Sequence, residues 1–432
     1  MHRDPFAALL PVVLVCLQLT AIARAETHHV PDDYPTIQSA IDHAYPGDVI
    51  LIADGTYHED ITFNRKSITV ASVNGPDLCR LIGNYKPITA TEVEHGTLEG
   101  ITVTGLHQAY IFDQPIDFSR SGLTIRNCHF VQNEVSAVLP GVEFISADDA
   151  SLEFEEGVFS STIDTGTLYP SFLFQIADTD ARFEGCTFQD NETGSIIHCY
   201  GGSLAVDDCE FIHNVSSRSG GAVSCSRTDL VITNSIFTGN TSEEYGGAIF
   251  ISELKSGVIG GDPSCGNCFA GNSAQLGDDI CYGSMDDLVI DARYNTFDRI
   301  PTEERVISRR SFNLAGCQFP GEPLTTDLFL SPEGSNENDG LTPETPLKTL
   351  SYALSRLVLS GETGITIQLA EGVYSPSLTG EEFPVLLPDN TILRGYDRQT
   401  TILDAEESEG ILDNALSIRN VIENITFTGT DN

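Results

Sequence analysis

Carboxylates are the most abundant reactive groups in this 432-residue chain. Sixty-three Asp and Glu stand against 22 Lys and Arg, a formal net charge of −41. They gather at Asp148-Asp149 with Glu153, at Asp178/Asp180, and at Asp207-Asp208, Asp278-Asp279 and Asp286-Asp287. Two carboxyls at a fixed separation can serve as acid and base on a glycosidic bond, but sequence does not provide that separation. In so acidic a chain, such pairs also arise simply as solvated turns. Lysines are few, and Arg182, two residues beyond Asp180, is the one suggestive base among the clusters. Cys265 and Cys268 form a lone C-x-x-C without a second pair or a nearby His, which does not make a zinc site. The acidity disfavours nucleic acid and anionic membranes. It also disfavours acidic polysaccharides unless divalent cations bridge.

The elements that would position these groups come from a repeat. Between residues 128 and 280 the pattern Phe-x-x-Asn recurs at Phe130/Asn133, Phe188/Asn191, Phe211/Asn214, Phe237/Asn240 and Phe269/Asn272. Two copies add Gly-Gly-Ala-Val/Ile, at residues 220–223 and 246–249. A period of this length marks a repeat architecture. The residues before each Phe alternate in polarity, as in residues 204–211, so Leu204, Val206 and Phe211 face inward on short strands. Without helical segments between them, these strands predict coils of about three strands stacked into a parallel β-helix. Each repeat Asn is expected at a turn, in the left-handed conformation. Its amide would bond backbone of the coils above and below. The sequons at Asn191, Asn214 and Asn240 are then buried ladder positions rather than glycan sites.

Residues 1–25 read as a cleaved signal peptide: His2 and Arg3, an apolar run, then Ala23-Arg24-Ala25. No other run is long enough to span a membrane. Ten of the eleven cysteines lie beyond the signal. Cys186/Cys209 and Cys199/Cys225 occupy equivalent positions in successive coils, within disulfide reach. The matching Ile251 marks the second slot as core, which favours buried thiols.

Residues 35–44 form a short helix with Ile37, Ala40, Ile41 and Ala44 on one face, suited to cover the end of a stack. Strands at residues 49–53, 61–63 and 67–72 follow it. This opening, through VPDDYPTIQSAIDHA, GDVILIADGTYHEDITF and KSITVAS, resembles that of pectin-lyase-like proteins. The Phe-x-x-Asn and Gly-Gly-Ala-Ile repeats resemble those of chlamydial-type polymorphic membrane proteins, which are adhesin-like proteins of the outer envelope. Together the resemblances imply an all-β, right-handed parallel β-helix over residues 26–320. Residues 321–326 read as a linker. The opening is then written again. SPEGSNENDGLTPETPLKTLSYAL and QLAEGVY resemble an uncharacterised bacterial domain that opens β-helices in secreted proteins. Residues 327–432 are therefore expected to start a second, truncated β-helix in a longer gene product.

The lyase resemblance implies clustered carboxylates holding Ca²⁺ and an Arg or Lys base, for which Asp178, Asp180 and Arg182 are the candidates. Otherwise neither cofactor nor metal is expected. Glycosidases of this fold resemble one another in Asn-Thr-Asp and Gly-His-Gly motifs, and both are missing. Pectin methylesterases share the Gly-x-Tyr-x-Glu of residues 55–59, but their catalytic Arg and Trp element has no counterpart in a chain without Trp. The expected function is a non-catalytic binding or adhesion module at the cell surface or outer membrane. Its partner would be an extracellular polysaccharide or a host or envelope surface. The alternatives are a polysaccharide lyase or hydrolase, and a passive envelope spacer.

Overall fold

The computed structural model describes residues 25–429, apart from 111–113, 138–142, 165–170, 276, 284–289, 299–305, 308–311, 314–316, 318–325, 356–363, 382, 384, 388–390, 407–409 and 414–419. The signal-peptide segment 1–24, most of the linker and Arg309-Arg310 fall outside the described residues.

The chain is an all-β parallel solenoid, with two short helices among the described residues. One turn contains the strands Ile197–Tyr200, Ser203–Asp207, Glu210–Ile212 and Val215–Ser216. In the next turn the first two fuse into the 11-residue strand Val223–Thr233. Every strand pairs in parallel with its equivalent one turn away, giving sheets of 20, 10 and 6 strands. The alternation read from sequence is present: Leu204, Val206 and Phe211 are buried while Ala205 and Asp207 lie at the surface. The six Phe partners Phe130, Phe159, Phe188, Phe211, Phe237 and Phe269 stand in direct register, and Phe297 continues the column. Consecutive rings stack with centroids 4.5–5.1 Å apart and planes within 14°. Offset stacking of this kind adds to the burial of each ring.

The Asn residues form a second column beside the rings. Asn191 Nδ2 donates to Asn214 Oδ1 at 2.9 Å, Asn214 Nδ2 to Asn240 Oδ1 at 3.0 Å, and Asn240 Nδ2 to Asn272 Oδ1 at 3.0 Å. Each Oδ1 also accepts the backbone N–H of the preceding Asn, at 3.2, 3.1 and 3.0 Å. Each Nδ2 reaches back to a Phe carbonyl: Phe159 for Asn191, Phe188 for Asn214, Phe211 for Asn240. Asn191, Asn214 and Asn240 are fully buried, so their sequons are inaccessible in the folded chain. The left-handed backbone expected at the Asn falls one residue earlier, at Gln132, Asp190, His213, Gly239 and Gly271. With the bend placed there, the Asn side chain points along the solenoid axis, where its amide can reach both neighbouring turns.

The Gly-Gly-Ala motif has a steric cause. Gly220 and Gly246 adopt φ of 79° and 65°. A Cβ on Gly221 would lie 1.9 Å from the Gly247 carbonyl oxygen of the next turn. Only bare backbone permits that approach.

Helix α1 (Ile37–His43) buries Ile37, Ala40 and Ile41, and Thr36 and Ser39 cap it reciprocally. Helix α2 (Leu350–Ser355) follows the second opening. From Leu328 onward the strands pair only with one another, in sheets of four, three and two, over their own apolar cluster from Leu328 to Ile411.

Candidate functional site

The strand Asp180–Glu184 carries Asp180, Arg182 and Glu184 on its outward face. The structure therefore brings Asp180 and Arg182 to one side, while Asp178 sits in the preceding bend with φ 43°. Arg182 does not turn to Asp178 or Asp180. Its Nη2 lies 2.7 Å from Glu184 Oε2 and 3.8 Å from Asp207 Oδ2, and Glu153 is its register partner on the adjacent turn. Glu184 holds the guanidinium above its ordinary pKa, with Asp207 and Glu153 adding to the effect. A base that abstracts a sugar proton needs the opposite shift. Asp180 accepts from Ser203 Oγ at 2.7 Å, and Asp229 from Ser256 Oγ at 2.6 Å, so this outward row alternates Ser and Asp from turn to turn. The neighbouring row runs Glu99, Arg126, Glu155, Glu184, Asp207, Thr233. In this array Arg126 pairs with Glu155 and Asp207 accepts from Thr233 and Asn234. Among the described residues no group of three His, Cys, Asp or Glu is arranged to hold a metal ion. A shallow groove of about 270 Å³ on the same face is lined mainly by Thr69, Thr97, Thr124, Gly122 and Glu153.

The residues that sequence reading missed lie where the short sheet turns into the long one. Glu143 is buried, and its carboxylate accepts the backbone N–H of Phe172. Burial pushes its pKa up to about 8, with Asp164 adding and Arg218 opposing. The Phe172 ring stacks on His198 with centroids 4.2 Å apart. Burial, helped by Arg218, pushes His198 down to about 4. Near neutral pH Glu143 is thus a protonated acid and His198 a neutral imidazole, linked through Phe172, whose backbone meets the first and whose ring meets the second. Neither residue belongs to a motif, and Glu143 and His198 stand 55 positions apart; the register sets His198 in the row of Gln175 and Ser146, and the Phe172 side chain links it to the turn that holds Glu143.

The motif with a catalytic association has structural partners. In Gly-x-Tyr-x-Glu, Tyr57 donates its hydroxyl to the Ala53 carbonyl at 2.9 Å. Glu59 accepts the N–H groups of Ile37 and Gln38 at 3.0 and 2.9 Å, closing the N-terminus of α1. A carboxylate there satisfies free N–H donors and favours the helix dipole. The second opening repeats the device: Tyr374 Oη donates to Leu330 O at 3.1 Å, and Glu381 accepts from Leu350 and Ser351 at 2.7 and 3.1 Å.

The ten cysteines among the described residues are thiols. Cys199 and Cys225 are register partners in the core. Cys186 N donates to Cys209 Sγ at 3.4 Å, Cys209 N to Ser235 Oγ at 3.1 Å, and Ser235 N to Asn267 Oδ1 at 2.9 Å. Sulfur therefore fills the place that oxygen fills on later turns.

Family models match two stretches of the chain. Residues 333–409 match a protein family of unknown function (DUF1565), and residues 234–252 match the Chlamydia polymorphic membrane protein repeat. No curated protein matches the chain in sequence. Among solved structures, pectate lyase Pel9A is similar at 16% identity and a TM-score of 0.39, over 80% of this chain and 92% of that one. An alginate lyase from Paenibacillus sp. str. FPU-7 is similar at 13% identity and a TM-score of 0.33, over 68% of this chain and 95% of that one. The catalytic unit of a thermostable GH87 alpha-1,3-glucanase from Streptomyces thermodiastaticus strain HF3-3 is similar at 12% identity and a TM-score of 0.34, over 95% and 69%.

Proposed function

We propose that this chain is an exported, surface-held β-solenoid protein that acts as a binding or adhesion module and does not cleave its ligand. The observation that carries this reading is the state of its arginines. Arg65, Arg120, Arg126, Arg182, Arg227, Arg293 and Arg394 each lie within ion-pair distance of a carboxylate. These arginines are thus ion-paired within an acidic array rather than gathered in a cationic cleft poised for proton abstraction, and an acidic chain repels polyuronate at long range. Stacked turns give the extended rigid surface that solenoids use for binding. The polymorphic membrane protein repeat supports a place at the cell surface. No helix among the described residues is long and apolar enough to cross a membrane. The binding body spans residues 26–320, a linker follows at 321–326, and a second solenoid unit opens at 327.

Labelled protein lacking the signal segment should bind bacterial envelope or host cells saturably. Incubation with pectate and alginate, with and without Ca²⁺, should yield no absorbance from unsaturated uronate. Steady product formation that Arg182→Ala abolishes would overturn the reading and make Asp178, Asp180 and Arg182 the site. A hydrolytic reading is favoured by one observation, the opposed shifts of Glu143 and His198, each in contact with Phe172, since such opposed shifts occur at acid–base sites. It requires glycan hydrolysis that Glu143→Gln removes.

A further inference from the structure

The outward face of the strands Ile197–Tyr200, Val223–Thr233 and Ile249–Ile259 carries a set of rings that neither ladder explains. His198, Ser224 and Phe250 are successive register partners, so two rings stand two turns apart with a small residue between them. That separation is about 10 Å. Phe172 stacks on His198, and Tyr245 lies against Phe250 with centroids 5.9 Å apart. At the other end of these strands the Arg227 guanidinium covers Tyr200, 5.5 Å from its centroid, and its Nε lies 2.7 Å from Glu253 Oε2. Tyr200 and Tyr245 remain 43% and 41% exposed. The face therefore offers ring surfaces at both ends, Tyr200 with one side under the Arg227 guanidinium and its hydroxyl accepting from Arg227 Nη1 at 2.5 Å, and with half-buried Ser226 and Ser252 and the exposed Glu253 around them. Apolar planes edged by a few fixed polar groups make a small-ligand site.

We propose that this face is a saccharide-binding platform for a neutral oligosaccharide. Sugar rings present an apolar C–H face that stacks on aromatic planes and a rim of hydroxyls that needs donors and acceptors, and both are supplied here. Charge selects the neutral class. The net charge of −41 repels polyuronates, and Arg227, the cation at the platform, is already paired with Glu253. Size separates a sugar from a protein partner. Three turns of strand, each contributing four residues, cover roughly 200 Å², against about 800 Å² per side in a stable protein–protein contact. The platform rests on the binding-module reading and specifies its ligand.

The test uses the whole mature protein and three probes: cellohexaose, laminarihexaose and trigalacturonate. The chain has no Trp and 13 Tyr, so a tyrosine fluorescence change that is lost when Tyr200 and Tyr245 are replaced reports the platform. At least one neutral hexasaccharide should perturb that fluorescence saturably and give heat in calorimetric titration. The double variant Tyr200→Ala/Tyr245→Ala should weaken it about tenfold or more while thermal unfolding stays cooperative, because both rings lie outside the core. Trigalacturonate should bind more weakly than either neutral probe. No binding of either neutral probe at about 10 mM, tighter binding of trigalacturonate, or a double variant with full affinity would each overturn the proposal. Cell-surface binding is measured in parallel. If it persists unchanged in the double variant, the platform is refuted and the module reading stands. If it is absent in the parent protein while the hexasaccharide binds, the module reading fails and the platform stands.

Discussion

Position 162 interrupts the Asn column, and filling it should stabilise the protein. Phe159 occupies the ring column between Phe130 and Phe188, but the residue three further on is Thr162 rather than Asn. Thr162 is 1% exposed, and its Oγ1 is buried without a hydrogen-bond partner among the described residues. Its backbone N–H still donates to Asn191 Oδ1 at 3.0 Å, so the backbone holds the ladder position and only the side chain fails to continue it. By analogy with Asn191, an amide at this site would donate to Phe130 O and to Asn191 Oδ1 and accept from Asn133 Nδ2. Each net hydrogen bond is worth about 0.5–1.5 kcal/mol, and an unpaired buried hydroxyl is itself unfavourable. Thr162→Asn should therefore raise unfolding free energy by about 1–3 kcal/mol. Thr162→Val, which removes the hydroxyl and adds no bond, should gain less, about 0–1 kcal/mol. Urea unfolding followed by tyrosine fluorescence gives both values on the same chain. If Val costs more than 1 kcal/mol and Asn gains nothing, the hydroxyl is bonded and the column does not stabilise as argued.

Asn214→Ala should destabilise by at least 1–3 kcal/mol, because it strands the Asn191 amide and the Phe188 carbonyl; a urea midpoint equal to the parent's would contradict the ladder's role. Phe237→Ala should cost about 3–5 kcal/mol, since the ring is fully buried between Phe211 and Phe269. Glu143 is pushed up to about 8 in the folded chain, above its ordinary carboxylate value. The unfolded chain releases that proton first, so this contribution to stability is complete at low pH and drains away as pH rises through about 8. Glu143→Gln should flatten thermal midpoints between pH 5 and 8 by removing the proton release, and an unchanged slope would show that Glu143 does not carry it. Burial pushes the Cys128 and Cys281 thiols up to about 12. Native protein should therefore react slowly with a disulfide reagent at pH 8, and unfolded protein rapidly; fast labelling of either residue in the native state would place it outside the core.

What sequence alone determined about this protein was its local periodicity. Alternation over residues 204–211, Phe-x-x-Asn at successive intervals and an amphipathic segment with Ile37, Ala40 and Ile41 are local properties. In a solenoid local properties carry far, because each turn packs only on its neighbours and one good turn implies the next. The ring column runs further than the motif. Phe159 was hidden because Thr162 replaces its Asn, though its 29-residue offset from both Phe130 and Phe188 was there to be counted. Phe297 lay past the last recognisable copy. The left-handed residue was misplaced by one because Asn tolerates that conformation, whereas the axis-directed amide requires the residue before it to bend.

Only the tertiary structure decided what the side chains do. Asp180 and Arg182 share a face, as any i and i+2 pair on a strand must. Whether Arg182 meets Asp180, Glu184 or Asp207 depends on how the adjacent turn lies beside it. The Gly-x-Tyr-x-Glu motif reads as catalytic until Glu59 is seen capping a helix 21 residues upstream of it. Glu143, Phe172 and His198 come together, and His198, Ser224 and Phe250 line up, only because turns of unequal length keep one strand register. Register is set by the hydrogen bonds and packing of all the turns together, and no single repeat contains it.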